Sequence, residues 1–294
     1  MSLFGSHSNT FIIELDFKGS AIHFSNQKAL FPLSLKTTIK RFMDFTGKNV
    51  LVTGASRGIG KATAMAFAQK GAKVGINYRS NDEVAQLTLS ELPGDGHKLF
   101  KRDISQKAET KMLIDDFIKS YGRLDVLVNN AGISIFHEID KVDFDHWTHA
   151  WEKTFETNLF AVANTCYWAA QSMMKSGGGH IVNISSRGSF RGEPTKPAYG
   201  ASKAALNAMS QSLAKKLAPY KIYIGVVAPG FTETEMAKET LTPAERENLF
   251  RESPFKRMAQ PEEVAHAILF LASEGAAYSS GTIIDVNGAS YLRT

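Results

Sequence analysis

Short apolar runs alternate with longer stretches of helical periodicity over most of the chain. The segments Asn49–Val52, Ala72–Asn77, Lys98–Arg102, Leu124–Val128, Ile181–Ile184, Ile222–Val227 and Thr282–Val286 predict strands. Helices are predicted over Lys61–Lys70, Lys107–Tyr121 and 200–217, with a further one opening at Pro261-Glu262-Glu263. Strands that are apolar on both faces belong to a sheet covered on both sides. Alternation at these lengths predicts an α/β fold, a doubly wound parallel sheet flanked by helices on both faces. In such sheets ligands sit in the crevice beyond the carboxyl ends of the strands.

The first of these strands runs directly into Thr53-Gly54-Ala55-Ser56-Arg57-Gly58-Ile59-Gly60, and then into a helix. Strand, glycine turn and helix together form the Rossmann-type layout that sets a pyrophosphate on a helix N-terminus. The spacing Gly-x-x-x-Gly-x-Gly departs from the Gly-x-Gly-x-x-Gly fingerprint, and alone it reads equally well as a packed turn. Its strand-to-helix context favours a dinucleotide. The second strand ends in Tyr78-Arg79-Ser80-Asn81, with no acid before Asp82. A carboxylate at that place would accept the ribose hydroxyls of NAD. Two guanidiniums, Arg57 and Arg79, suit the 2′-phosphate of NADP instead. The expectation is NADP(H) preferred over NAD(H). Asp103 with Ile104, and Asn129 through Asn130, Ala131 and Gly132, occupy further strand ends and are expected beside the adenosine half.

Tyr199 and Lys203 are four residues apart at the start of a predicted helix, so they share one face. A phenol ionises near pH ~10, and bringing it to ~7 takes roughly 4 kcal/mol of differential stabilisation. The ammonium of Lys203, helped by a cationic nicotinamide ring, is expected to provide it. On spacing alone an ordinary solvated helix pair explains the two residues. Their company changes that. In order along the chain come Thr53–Gly60, Asp103, Asn129–Gly132, Asn158, Ser186, Tyr199-x-x-x-Lys203, and Pro229-Gly230 with Thr234. This series resembles the single-domain short-chain dehydrogenase/reductases, over roughly Asp44 to the C-terminus.

The resemblance implies a catalytic tetrad of Asn158, Ser186, Tyr199 and Lys203. Ser186 would bond the substrate carbonyl oxygen. Tyr199 would exchange a proton with that oxygen, and Asn158 would order a water leading from Lys203. Ser185 is the rival of Ser186, but neighbours on a strand face opposite ways and both cannot serve. Pro229 and Gly230 are expected along the cofactor, with Thr234 at the nicotinamide carboxamide. The implied substrate is a small-molecule carbonyl or secondary alcohol, 3-oxoacyl thioesters being the most populated choice. A noncatalytic cofactor-sensing or scaffold protein on the same fold is the alternative.

Composition adds limits. Apolar residues make up 43% and charged residues 21% of 294, an ordinary globular mixture. Net charge is +5, of which residues 1–42 carry five Lys/Arg against two acids, so the remaining body is too mildly basic to argue for nucleic acid. No apolar run approaches the ~20 residues of a membrane span. A single cysteine, Cys166, leaves no internal disulfide and no multi-cysteine metal site, and fits a cytoplasmic setting. Residues 1–42 read as an appendage, with a small hairpin over Phe11–Phe24 and a short helix over Leu30–Phe42, ahead of one oxidoreductase domain at 43–294. The run Leu159–Met174 is nearly apolar all round, more than one sheet face covers, which predicts a homo-oligomer and, by the resemblance, a tetramer. Arg187 and Arg191 are expected to border the substrate, where they serve an acidic group or touch only cofactor phosphates or solvent, and Ala237–Lys256 reads as a mobile cover over it or as an ordinary solvated helix pair.

Overall fold

The computed structural model describes residues 43–235, 237 and 243–293. The hairpin and helix expected within residues 1–42 lie outside the described residues, as does 238–242 of the expected cover. Strands β1 (Asn49–Val52), β2 (Lys73–Tyr78), β3 (Lys98–Lys101), β4 (Val126–Asn129), β5 (Gly179–Ile184), β6 (Ile222–Pro229) and β7 (Ile283–Val286) form one parallel sheet in the order β3-β2-β1-β4-β5-β6-β7. Helices α1 (Gly58–Gln69), α2 (Asp82–Glu91), α3 (Lys107–Tyr121), α4 (Phe144–Phe155) and α5 (Ala161–Ser176) alternate with the first five strands. The short turn α6 (Gly188–Arg191), the long α7 (Pro197–Leu217), α8 (Pro243–Glu252) and α9 (Pro261–Ala272) follow.

Two cores arise from the two-residue period of the strands. Val50, Val52, Val126, Val128, Val182 and Val227 point to the face covered by α1 and α9, where Phe67, Ile268 and Leu269 pack. Leu51, Leu127, Ile181, Ile222 and Ile224 point to the other face, under α3, α5 and α7. Each fully buried Leu, Ile or Phe contributes about 1.5–3 kcal/mol against leaving it exposed. Consecutive strand residues serve opposite cores, so a one-residue slip would exchange them, and the register is fixed: Val50 lies opposite Val74 on one side and Val126 on the other. The chain order turns back between β1 and β4, and the strand ends part there into a crevice.

The stretch carrying Asn158 continues the helix of α4 through a π turn, Glu156–Phe160, into α5. Such turns insert a residue without breaking the helix and reset which side chains face inward. Among the described residues no helix is long and apolar enough to cross a membrane.

Candidate active site

A cleft of about 640 Å³ runs along the carboxyl ends of the strands, from Arg57 and Arg79 at one end to Tyr199 and Lys203 at the other. That volume lies within the range of cofactor and ligand sites. Nearly every residue singled out from sequence lines it, including Ser56, Ile59, Asp103, Ile104, Ala131, Pro229, Gly230 and Thr234. Gly60 and Asn158 do not; they work beneath the surface.

At the β1 end the floor is backbone. Gly54 takes φ +61°, a left-handed conformation, and a side chain there would meet Ala131 Cα at 2.9 Å. A Cβ on Gly60 would fall 2.4 Å from the Gly54 carbonyl oxygen and 2.6 Å from Asn130 Nδ2, so α1 reaches the strand end only because this residue is glycine. Asn130 Nδ2 donates to the Thr53 and Gly54 carbonyls at 3.0 Å, and Thr53 Oγ1 accepts from the backbone N–H groups of Asn130 and Ala131. These bonds lock the ends of β1 and β4 together. The first turn of α1 has no acidic residue and no side-chain cap, so its N–H groups and dipole suit an anion in the cleft. A dinucleotide pyrophosphate fits this cradle.

The acid nearest the end of β2, Asp82, accepts from the Tyr78 hydroxyl at 2.8 Å and pairs with Lys101 at 2.7 Å. Lys101, then Tyr78, hold its carboxyl below the usual value. Arg57 and Arg79 are exposed on the cleft wall. Asp103 turns its carboxylate to the backbone and hydroxyl of Ser105. Asn129 is corrected: it points away from the cleft and lies buried, with Nδ2 on Asn183 and Oδ1 accepting from Thr165. The strand period sends neighbours to opposite faces, and Asn130 takes the cleft side.

At the β5 end the floor is side chains. Ser186 Oγ hydrogen-bonds the Tyr199 hydroxyl and accepts from Gly188 N at 3.0 Å. Ser185 Oγ instead donates into α7, to the Lys203 carbonyl at 3.3 Å, which settles which of the pair meets Tyr199. Lys203, 4% exposed, donates from Nζ to the Ile184 carbonyl at 2.8 Å and stands 5.9 Å from the Tyr199 ring centroid. Asn158 clamps Ile133, accepting from its N–H at 2.8 Å and donating to its carbonyl at 2.9 Å, with Ser202 Oγ 3.2 Å from Nδ2. Both amide hydrogens are thereby spent, so the side chain anchors the wall of the cleft. A Cβ on Gly132 would lie 3.2 Å from Asn158 Oδ1 and 3.5 Å from Lys203 Nζ, which places both groups under the same turn.

The electrostatics reverse one expectation. Burial pushes the Tyr199 hydroxyl above its ordinary value; the Ser186 hydroxyl works against this and the Glu193 carboxylate with it. Burial also pushes the Lys203 ammonium down, to about 8. Spacing alone predicted a phenol pulled toward ionisation by the neighbouring ammonium. Burial shifts both toward their uncharged forms, Tyr199 upward and Lys203 downward, with Lys203 still charged below about 8.

Arg187 lines the cleft as expected, whereas Arg191 does not, and the charges of both are already committed. Arg187 is buried, bonded to Ser290 Oγ at 2.6 Å and Glu252 Oε2 at 3.0 Å, with its guanidinium 4.7 Å from the Phe231 ring centroid. Arg191 shares the same Glu252 oxygen at 3.1 Å. The two cations tie α8 to the end of β5, and a buried charge needs such a partner. Sequence reasoning missed the cleft residues Glu193, Lys196 and Phe231, and it missed His137, which is fully buried beside the cleft. No motif carries those positions.

Comparison with known proteins gives the same picture. A family model described as enoyl-(acyl carrier protein) reductase matches residues 54–289. An uncharacterised oxidoreductase of Thermotoga maritima is 38% identical over 259 residues, covering 84% of this chain and 99% of that protein. The 3-oxoacyl-(acyl-carrier-protein) reductase FabG of the same organism is 38% identical over 84% of this chain and 98% of its own length. FabG of Staphylococcus aureus is 34% identical over 83% of this chain and 98% of its own. With a seven-stranded sheet in this order and a cleft at its switch point, the chain belongs to the short-chain dehydrogenase/reductase family, oxidoreductases acting on CH–OH and C=O groups.

Proposed function

We propose that the protein is an NADP(H)-dependent carbonyl reductase with Ser186, Tyr199 and Lys203 as its catalytic residues. The observation that carries this reading is the Ser186–Tyr199 hydroxyl pair beside Lys203, at the far end of a cleft whose other end presents Arg57 and Arg79. When bound, the nicotinamide cofactor supplies the hydride. The glycine turn and the start of α1 would hold its pyrophosphate, Arg57 and Arg79 its 2′-phosphate, and Lys203 its nicotinamide ribose. Pro229, Gly230 and Thr234 line the cleft and would border its nicotinamide half.

Ser186 Oγ donates to the substrate carbonyl oxygen and stabilises the negative charge that grows there; such a donor is worth about 2.7–4 kcal/mol. Tyr199 delivers a proton to the same oxygen. Its raised pKa keeps it protonated at neutral pH, the form reduction requires. Asn158 acts through Ile133, holding the substrate-side wall in place.

The names of the FabG relatives support a 3-oxoacyl thioester as substrate. One buried cysteine and no disulfide among the described residues support a reducing, cytoplasmic setting. The outward face of α5 and the π turn carries Tyr167 and Phe160, each 56% exposed, and an apolar face of this kind supports a homotetramer. A single monomeric mass in light scattering at micromolar concentration would remove the tetramer.

The activity is tested by NADPH consumption across ketones and 3-oxoacyl thioesters. Turnover is expected on at least one class. Silence over the whole panel with NADPH binding retained overturns the catalytic reading in favour of a cofactor sensor.

A further inference from the structure

His137 has no exposed surface, and both of its ring nitrogens are engaged. Nδ1 lies 2.8 Å from the Ile135 carbonyl oxygen, which can only accept, so Nδ1 carries the proton. Nε2 lies 3.2 Å from the backbone nitrogen of Ala198 and accepts its N–H. The ring is therefore a neutral imidazole with one tautomer set by its partners. The backbone N–H of His137 donates to the Thr195 carbonyl at 2.9 Å, a second tie to the same segment. From α4, Trp147 and Trp151 brace the ring edge-on at 5.4 and 6.4 Å between centroids. His146 Nε2 stands 3.0 Å from the Phe136 carbonyl and anchors the residue just before it.

Ala198 is the second residue of α7, and Tyr199 is the third. The first N–H groups of a helix have no acceptor within it, and a side-chain oxygen at the N-cap ordinarily provides one. Here the N-cap is Lys196, whose side chain has no acceptor atom and whose carbonyl takes the Tyr199 N–H at 3.0 Å, and Pro197 has no N–H. The first N–H in need is that of Ala198, directly before Tyr199. Its acceptor arrives from 61 residues earlier in the chain.

We propose that His137 is a positioning residue for Tyr199: its Nε2 caps α7 and fixes the turn that aims the phenol at Ser186, while its Nδ1–H sets the loop that walls the substrate. This rests on the carbonyl-reductase reading above. A histidine that merely filled space beneath the two tryptophans would need neither of these bonds.

The test compares three variants. In His137→Gln the amide oxygen reaches the place of Nε2; in His137→Asn it reaches only that of Nδ1; His137→Met fills the space with neither. Ketone or thioester reduction by NADPH is measured in steady state, with a deuterated nicotinamide to expose the hydride step. The Gln variant is expected within about threefold of wild-type kcat. The Asn and Met variants are expected to lose about 10- to 100-fold in kcat, the scale of an ångström misplacement at a reacting group. Their NADPH KM should stay within about twofold and their isotope effect should rise.

Amide hydrogen exchange at Ala198 in the free protein reads the cap without any activity, and should be fast in Asn and Met but slow in Gln. Equal kcat and equal exchange in Gln and Asn overturn the cap, even where the Met variant does not fold. A wild-type protein inactive on every substrate would defeat the reductase reading, and the exchange comparison would still decide the cap.

Discussion

Beneath the glycine turn, the cleft is made of main chain: Gly54, Gly60 and the N-terminal N–H groups of α1 lie against the end of β4. Beneath the substrate end it is made of side chains brought from four separate places, Asn158 from the π turn, Ser186 from the end of β5, Tyr199 and Lys203 from α7, and His137 from the loop after β4. The first region binds by shape and partial charge, and it needs small residues at fixed spacing. The second needs proton donors with tuned acidity, which requires burial and several long-range hydrogen bonds. A defect at the first end should therefore weaken cofactor binding, and one at the second should slow chemistry.

The sharpest separation comes from Tyr199→Phe. Losing the proton donor is expected to lower kcat by about 10²- to 10⁴-fold. NADPH affinity, measured by fluorescence titration, should change by less than about threefold, because the phenyl ring keeps the wall. An equal loss in both quantities would erase the distinction between the two ends.

At the opposite end, Gly60→Ala drives a Cβ to 2.4 Å from the Gly54 carbonyl and forces α1 off the strand. Overpacking of this kind costs about 1–3 kcal/mol. Thermal melts should show a lower Tm, and the NADPH KM should rise more than kcat falls. A normal Tm with a large kcat defect would contradict the backbone account of this region.

Removing the guanidinium in Arg79→Ala should reduce kcat/KM for NADPH by about 10- to 100-fold, since a charge-assisted hydrogen bond is worth about 1.5–3 kcal/mol. The value for NADH should stay within about threefold. Equal effects on both cofactors would remove Arg79 from the 2′-phosphate.

The smallest effect is one of pH. Lys203 has a folded-state pKa of about 8 against 10.5 for an unperturbed lysine. Below 8 the ammonium is charged in both the folded and unfolded states, and its burial penalty is present in full. Between 8 and 10.5 the unfolded chain binds more protons, so this group's contribution to stability rises with pH. Lys203→Met removes that contribution. Its urea-midpoint advantage over wild type, in the free protein, should be largest near about pH 7 and shrink toward about pH 10. A pH-independent difference would mean that burial does not depress the lysine.

Much of this architecture follows from local pattern. Apolar strands separated by helices specify the parallel sheet, and the crevice follows from where its chain order reverses. The glycine turn and the Tyr199–Lys203 pair are visible because their geometry is fixed within a few residues of each other. Two features are not local. The Glu156–Phe160 π turn packs against α7, and no periodicity along the chain marks it. Arg187 and Arg191 read as open cations until α8 folds back and presents Glu252 between them.

The sequence alone determined the sheet and the glycine turn, because each rests on spacing along neighbouring elements, and it brought out Tyr199 and Lys203 as candidates because they share one helix face. Only the tertiary structure decided how acidic those groups are and what holds them. Burial raises Tyr199 and lowers Lys203, against the direction that an ammonium beside a phenol implies in water. The acceptor for the first N–H of the catalytic helix comes from His137, far off in sequence and next to it in space. Solvent exclusion and distant partners are properties of the folded chain.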